Sequence, residues 1–244
     1  MPKSYAKLHP SHDDTAYADP RYLEAEQFYI DQLRDLGVRI KIGTDMSEYR
    51  QIVHDHDPDR PTTLPFRADS IFASQPAIWI AGFDDDNALV HTQATRSICP
   101  ASISFANYFK RNFHNFPPPA LPIDFENSEL VLNPNLVSLS GTVCYHGEVW
   151  LQNNPQYRGG RAIGLTGALN FVAGVRRLKA DAFVGIMTKA LGDKGLPSRQ
   201  GYFHASPDCL TWQRLDSDLP IRTYIVHQTK SDIDFLISRN LKVA

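Results

Sequence analysis

The spacing of apolar residues along the first part of the chain predicts alternating helix and strand. An apolar stripe at helical spacing predicts a helix over residues 21–36, and Gly37 is a typical stop for it. Residues 38–42 alternate apolar and basic side chains, which predicts a short half-buried strand. A second helix is expected over residues 47–54, followed by a polar, proline-containing turn.

The next part of the chain predicts an antiparallel hairpin. Two apolar runs, residues 77–83 and 88–98, flank an Asp-Asp-Asp-Asn turn. Residues 102–113 follow as an aromatic-rich helix. The prolines of the segment FPPPALPIDF exclude helix and central strand there, because proline lacks a backbone donor and fixes φ. We therefore expect residues 114–135 to be an insertion.

A strand, a glycine-rich turn and a helix are predicted after this insertion. Residues 137–152 have strand character, with one face formed by Val143, Tyr145, Val149 and Leu151. The turn covers residues 153–160, and the helix covers residues 161–178 and ends with Arg176, Arg177 and Lys179, where cations suit the helix dipole. Four further elements are expected: a strand over 182–187, a short helix or loop over 195–205, a strand over 223–228 and a short element over 231–236.

Charge and cysteine content narrow the class of protein. A formal net charge of −2 gives no basic footprint for nucleic acid. The three cysteines have no CxxC spacing, which favours a reducing compartment. No signal-peptide core and no run of 18 apolar residues are present, so we expect a cytoplasmic protein without a membrane span. The prediction is a single domain over residues 1–244, with an N-terminal extension over residues 1–37; the oligomeric state is open.

The turn before the long helix predicts an anion site. Adjacent Gly159 and Gly160 let several backbone N–H groups point one way, and the first helical turn adds unpaired N–H groups. Arg158 and Arg161 add positive charge. The alternative is a tight connection with solvated arginines. Neither GxGxxG nor GxxxxGK[ST] is matched, which argues against nicotinamide and nucleoside triphosphate enzymes.

The segment GEVWLQNNPQYRGGRAIGLTGAL resembles the acyl-CoA-binding motif of the GCN5-related N-acetyltransferases, the GNAT family. That family shows a strand, a sequence similar to PEYRGKGIG and a helix. Here one extra residue lies between Gly159 and Ala162, and Ala162 stands where glycine is usual. The strand over 182–187 and residues 199–203 resemble the family's next elements, so the resemblance covers about residues 136–230.

The resemblance implies an α/β fold with a GNAT-like, mixed, mostly antiparallel and splayed central sheet flanked by helices. It implies acetyl-CoA as acyl donor and a small-molecule or peptide amine as acceptor, joined by direct attack. The pantetheine arm would lie along Val149, Trp150 and Leu151, with the oxyanion near the backbone N–H of Trp150 or Leu151. The residues expected to hold the pyrophosphate are Tyr157, Arg158, Gly159, Gly160, Arg161, Ala162, Ile163 and Gly164.

Three residues are candidates for proton transfer. The acceptor amine must lose a proton, and Glu148 is the preferred base, acting directly or through water. His146 is the second candidate, on the same face of the predicted strand. Tyr202 would protonate the leaving thiolate, as the equivalent tyrosine does in many family members. The structural alternatives are a solvent-facing Glu148 and a core Tyr202.

Three other groups of residues have weaker support as functional sites. His54, Asp55, His56 and Asp57 have the chemistry of metal ligands but lie in a polar turn without a third fixed ligand, so no metal is expected. Cys144 lacks an evident base and orienting group for nucleophilic catalysis. One set of aromatic residues forms either core or an acceptor pocket: Phe105, Tyr108, Phe109, Phe113 and Phe116.

Two other functions remain open. The extra residue in the turn motivates a non-catalytic CoA-binding or regulatory module with a GNAT-like fold. An acyltransferase that uses an acyl-carrier-protein donor is the other alternative, because such donors also carry phosphopantetheine.

Overall fold

A computed structural model describes residues 19–154, 157 and 161–240. The described residues form one eight-stranded sheet with helices on both faces. The strands are β1 Arg39–Gly43, β2 Ala77–Phe83, β3 Leu89–Cys99, β4 Ile123–Leu130, β5 Val143–Leu151, β6 Ala182–Thr188, β7 His204–Arg214 and β8 Ile221–Thr229. The helices are α1 Pro20–Arg34, α2 Met46–His56, α3 Phe105–Asn112, α4 Pro134–Val137, α5 Ala162–Leu178, α6 Lys189–Gly192, α7 Leu196–Arg199 and α8 Lys230–Asn240.

The sheet has the order β1-β2-β3-β5-β6-β8-β7-β4. Every neighbouring pair is antiparallel except β5 and β6, which run parallel. The predicted mixed, mostly antiparallel sheet flanked by helices is confirmed. The parallel pair is short, because Val143–Tyr145 match Ala182–Val184 and the two strands then separate. This separation opens the centre of the sheet.

Two apolar layers hold the helices against the sheet. On one face α5 packs with α1 and α8, and buries Leu169, Phe171 and Val172. The other face is covered by α2, α3 and a short 3-10 turn at Leu64–Phe66. Strands β2 and β3 are buried on both sides, which explains their near-continuous apolar runs.

The aromatic residues around α3 belong to the core. Phe105, Phe109 and Phe116 are buried, and Tyr108 and Phe113 are partly buried against them. None of the five lines the cavity described below. The core interpretation is therefore confirmed, and the acceptor-pocket interpretation is wrong.

The first helix and the hairpin are confirmed, with small shifts in their ends. Asp19 caps α1 through its side chain, Pro20 occupies the first turn, and Gly37 adopts a φ of 75° after the helix. Helix α1 packs on α5, so residues 20–34 are part of the fold. No helix in the described part of the chain is long and apolar enough to cross a membrane.

The strand predicted over 137–152 is wrong at its start, because β5 begins at Val143. Asn133 accepts a hydrogen bond from the Leu136 N–H and caps a helical turn that starts at Pro134. Gly141 then turns the chain into the strand with a φ of 81°. Asn-Pro turn chemistry therefore outweighs the apolar residues of this segment.

Strands β4 and β7 were not predicted. Strand β4 lies inside the proline-rich segment and pairs with β7 at the edge of the sheet, where prolines nearby are tolerated. The register of β7 with β8 shifts between Pro207 and Leu210, and Asp208 has a φ of 57°. This bulge breaks the alternation that would identify a strand. The last predicted element is also longer, as α8.

Candidate functional site

A cavity of about 640 Å³ occupies the opening between β5 and β6. Both strands contribute to its walls, and the floor comes from the start of α5 and the segment around α7. The strand residues that line it are Tyr145, His146, Gly147, Glu148, Val149, Trp150 and Leu151 of β5, Gly185, Ile186, Met187 and Thr188 of β6, and Val226 of β8. The three residues predicted to hold the pantetheine arm therefore lie along one wall.

A β-bulge at Glu148 shapes this wall. The register with β3 steps from Gly147–Ala94 to Trp150–Thr92, so Glu148 and Val149 together face one residue. Glu148 has a φ of 58°, a left-handed conformation that costs a non-glycine residue about 1–2 kcal/mol. Such strain persists where the surroundings fix the residue, and bulges are common next to functional sites.

The bulge places Glu148 and His146 on opposite faces of the sheet. The ring of His146 packs against Phe171 of α5, whereas the carboxylate of Glu148 faces Tyr49 of α2. The prediction that these two side chains share a face is wrong, because one inserted residue breaks the period of two. For the same reason Leu151 packs on the α5 side, opposite Tyr145.

The carboxylate of Glu148 is buried and firmly oriented. Its Oε1 accepts hydrogen bonds from the Thr63 N–H at 2.8 Å and the Thr63 hydroxyl at 2.6 Å. The Tyr49 hydroxyl lies 3.4 Å from Oε2. Burial, followed by the charge of Glu148, raises the pKa of Tyr49, so that its hydroxyl stays a donor. The solvent-facing alternative for Glu148 is wrong, since the residue is 7% exposed.

Arg60 holds the backbone of the bulge. Its Nη2 donates to the Glu148 carbonyl at 3.0 Å and to the Thr92 hydroxyl at 2.9 Å. The guanidinium stacks on the ring of Trp150 at 5.6 Å, and its Nη1 is buried without a hydrogen-bond partner among the described residues. Arg60 and Thr63 were not predicted, because their segment shows only turn chemistry in the sequence.

The second polar cluster is a directed chain of hydrogen bonds on the α5 side. The Gln93 amide donates from Nε2 to the Thr166 carbonyl at 2.7 Å, so its oxygen faces His146 Nε2 at 3.0 Å. This assignment puts the imidazole hydrogen on Nε2 and leaves Nδ1 to accept from the Tyr202 hydroxyl at 2.7 Å. Burial lowers the pKa of His146 to about 3, so the ring is neutral at physiological pH.

Tyr202 reaches this chain through a gap that only glycine leaves. A Cβ atom on Gly185 would lie 2.9 Å from the Tyr202 hydroxyl oxygen and 3.2 Å from the His146 carbonyl oxygen. Burial raises the pKa of Tyr202 well above its ordinary value. The isolated glycine within the apolar run of β6 was a signal for this close approach.

The start of α5 closes the floor of the cavity. The helix begins at Ala162 without a side-chain cap, so its first N–H groups have no partner within the helix. Ile163 lines the cavity, and a Cβ atom on Gly164 would lie 3.1 Å from the Arg199 carbonyl oxygen. This helix end suits a phosphate group, because its N–H groups and dipole favour an anion.

The remaining residues of the predicted anion turn divide into two groups. Arg158, Gly159 and Gly160 lie outside the described residues. Of the others, Tyr157 is buried in the core formed with α1 and α5, and Arg161 donates to Gln32 of α1 at 2.7 Å. The described part of the turn therefore ties the helix start to α1.

Comparison with solved structures gives matches of low sequence identity. The chain is 11% identical to Arabidopsis thaliana NAA60 in complex with acetyl-CoA, with 80% of this chain and 99% of that chain covered and a TM-score of 0.43. For the aminoglycoside acetyltransferase AAC(6')-Ib in complex with coenzyme A and kanamycin, the identity is 11%, the coverage 81% and 98%, and the TM-score 0.41.

A third match is apo FdhC, a nucleotide-linked sugar GNAT, at 9% identity, 82% and 90% coverage and a TM-score of 0.38. The structural neighbours are GNAT acetyltransferases. No family model matches the chain, and no curated protein matches it in sequence. At these identities the likeness concerns the fold alone.

None of the other candidate side chains lines the cavity, although the ring of His56 packs 4.8 Å from that of Trp150 in the cavity wall. His54 and His56 are exposed near the end of α2, and no group of three or more metal-ligating side chains is found among the described residues. All three cysteines, Cys99, Cys144 and Cys209, are buried, and burial raises the pKa of each thiol, to about 11 for Cys99. A buried thiol of raised pKa is a poor nucleophile.

Proposed function

We propose that the chain is an N-acyltransferase that moves an acetyl or other acyl group from acyl-CoA to an amine by direct attack. The observation that carries this proposal is the opening between β5 and β6. It brings the diverging end of β5, a helix start without a side-chain cap and an oriented carboxylate around one cavity. No covalent enzyme intermediate is needed, since the thioester is already activated.

The donor would lie across the opening. The pairing of β5 with β6 ends at Tyr145, and Val149, Trp150 and Leu151 line the cavity beyond that point, so a pantetheine arm would lie along this part of the strand. The pyrophosphate would meet the N–H groups at Ala162, Ile163 and Gly164, with charge from Arg161. Tyr157 would support this turn from the core. The roles of Arg158, Gly159 and Gly160 stay predictions.

Glu148 is the proposed base. Thr63 fixes the orientation of its carboxylate, which would take the amine proton directly or through one water as the C–N bond forms and the C–S bond breaks. His146 is a poor base by comparison, because both of its ring nitrogens are engaged and its pKa is depressed to about 3. We assign His146 to positioning Tyr202.

Tyr202 would stabilise the leaving thiolate by donating a hydrogen bond from its hydroxyl to the sulfur. An ordinary thiol has a pKa of about 8.5, so the thiolate can leave as an anion near neutral pH. The raised pKa of Tyr202 makes complete proton transfer to that thiolate uphill. We propose that the hydroxyl rotates from His146 towards the sulfur and stabilises its charge, and that solvent supplies the proton.

Calorimetric titration with acetyl-CoA, followed by thiol release across a panel of amines, tests the proposal. Binding and acceptor-dependent release are expected, and Arg161→Gln should weaken binding without changing the choice of acceptor. Absence of binding at millimolar acetyl-CoA would refute a CoA donor. Binding without release would favour the non-catalytic module, and release from an acylated carrier protein alone would favour the carrier-protein alternative.

A further inference from the structure

An arginine-rich cavity lies at the end of the sheet where β2 begins. Its volume is about 470 Å³, and it shares no lining residue with the cavity between β5 and β6. The start of α2 and the segment before β2 form much of its wall. Among the described residues the charged groups of its lining are four arginines and one carboxylate: Arg50, Arg67, Arg96, Arg177 and Asp45.

Arg96 is the unusual member of this lining, because it is a buried cation without a counter-ion. The residue is 2% exposed, and its Nη1 donates to the Phe72 carbonyl at 2.8 Å. Its Nε has no hydrogen-bond partner, and no carboxylate forms an ion pair with it, within the part of the chain that the structure describes. Burial, with a smaller contribution from the charge of Arg50, lowers the pKa of Arg96. An unpaired buried charge is costly, so an anion at this place would be strongly favoured.

A second guanidinium of the cavity is also not neutralised. Arg50 of α2 donates to the Ser47 hydroxyl at 3.2 Å and forms no ion pair with a carboxylate among residues 19–154, 157 and 161–240. The carboxylate of Asp45 accepts from the Ser47 N–H at 2.7 Å and serves as the cap of α2.

The other two arginines have partners. Arg67 pairs with Asp69, and Arg177 pairs with Glu26. Two cations, those of Arg50 and Arg96, therefore remain for a ligand.

We propose that this cavity binds a small molecule through a phosphate group held between Arg50 and Arg96. A phosphate monoester carries about −1.5 to −2 charges near neutral pH, which matches the two free cations. The guanidinium fork suits phosphate oxygens, and the Thr44 and Ser47 side chains of the lining add hydroxyl donors. The volume also falls within the range of about 300–1,000 Å³ typical of small-molecule sites. Binding here is independent of the proposed acyl transfer.

Thermal unfolding in potassium phosphate, compared with potassium chloride at equal ionic strength, tests the site. For the unaltered chain the melting temperature should rise with inorganic phosphate, and the rise should become logarithmic once the concentration exceeds the dissociation constant. Arg50→Gln should require about tenfold more phosphate for the same rise, because one charged hydrogen-bond donor is lost. Arg96→Met should abolish the rise without lowering the melting temperature in chloride, since the unpaired charge is gone.

Two controls separate this site from others. Arg161→Gln alters an arginine at the proposed pyrophosphate site and should leave the phosphate response intact. Potassium acetate should produce a smaller rise than phosphate, and an equal rise would overturn the assignment to phosphate. The proposal also fails if the unaltered chain does not respond, or if Arg50→Gln and Arg96→Met respond as it does. If Arg96→Met does not fold, Arg50→Gln decides.

Discussion

Strand β5 carries two buried polar clusters, one on each face, and they differ in kind. On the α5 side Gln93, His146 and Tyr202 form a chain of neutral groups in which every donor has a fixed acceptor. On the α2 side the carboxylate of Glu148 is held by Thr63, and Arg60 lies beside it. A neutral, fully paired chain provides rigidity, whereas an oriented carboxylate beside a cavity provides a base.

The bulge at Glu148 places the two polar clusters on opposite faces of β5. In an unbroken strand both side chains would lie on one face and compete for the same space. The left-handed residue sends them to separate environments, each with its own partners from distant parts of the chain. Substitutions on the two faces should therefore have separable effects on turnover and on stability.

The largest effect is expected for Glu148→Gln. Loss of a general base lowers turnover by about 10²–10⁴-fold. The amide oxygen can still accept from Thr63, so the fold should hold. Steady-state thiol release with a responsive amine gives kcat, and calorimetry should show unchanged acetyl-CoA affinity. Glu48→Gln, an exposed glutamate of α2 paired with Lys41, is the matched control and should leave kcat unchanged. Unchanged kcat in Glu148→Gln would remove this residue as the base.

Gln93→Met should lower the free energy of unfolding. It leaves the His146 Nε2–H buried without a partner, at a cost of about 1–3 kcal/mol, and it removes the side-chain hydrogen bond to the Thr166 carbonyl, which stays within the backbone ladder of α5. Urea unfolding should show a lower midpoint with the same slope. Gln51→Met on the exposed side of α2 provides the comparison and should shift the free energy of unfolding by less than about 0.5 kcal/mol. An unaltered midpoint in Gln93→Met would mean that the chain of hydrogen bonds does not stabilise the fold.

Acid should destabilise the fold before the carboxylates titrate. Burial lowers the pKa of both His91 and His146 from 6.5 to about 3. The unfolded chain therefore takes up protons first as the pH falls below about 6.5, so the free energy of unfolding decreases by at most about 1.4 kcal/mol per pH unit for each histidine.

Urea titrations between about pH 6.5 and pH 5 measure this slope. His54→Gln, at an exposed position, should keep the slope, and His146→Gln should reduce it. A flat profile over this interval in the unaltered chain would show that the two rings are protonated in the folded state.

The smallest effect is expected for Tyr202→Phe. If the hydroxyl, positioned by His146, only stabilises the charge on the sulfur, kcat should fall by less than about tenfold, in line with the loss of one hydrogen bond worth about 0.5–1.5 kcal/mol. The amine KM should not change. A loss of more than about 10²-fold, with a changed alkaline limb of the kcat–pH profile, would instead identify Tyr202 as the acid.

Much of the fold follows from local pattern, but the partners of the site do not. The hairpin, α5 and the central strand are visible because apolar spacing and turn residues agree there. Nothing in the sequence at Gly147-Glu148 indicates a bulge. The positive φ of Glu148 is fixed by its tertiary partners and not by local sequence. Thr63 and Gln93 lie 85 and 53 residues from the side chains they bind. Contacts at such separations leave no periodic signal in one sequence.

All three cysteines are buried, and this affects how the thiol released by acyl transfer can be measured. Acyl transfer from CoA releases one thiol, which a disulfide reagent converts to a coloured product. Such reagents react with thiolates, so Cys99, Cys144 and Cys209 should stay silent while the chain is folded. The same reagent would count them as the protein unfolds. One colorimetric signal can therefore measure turnover under native conditions and the opening of the core in denaturant.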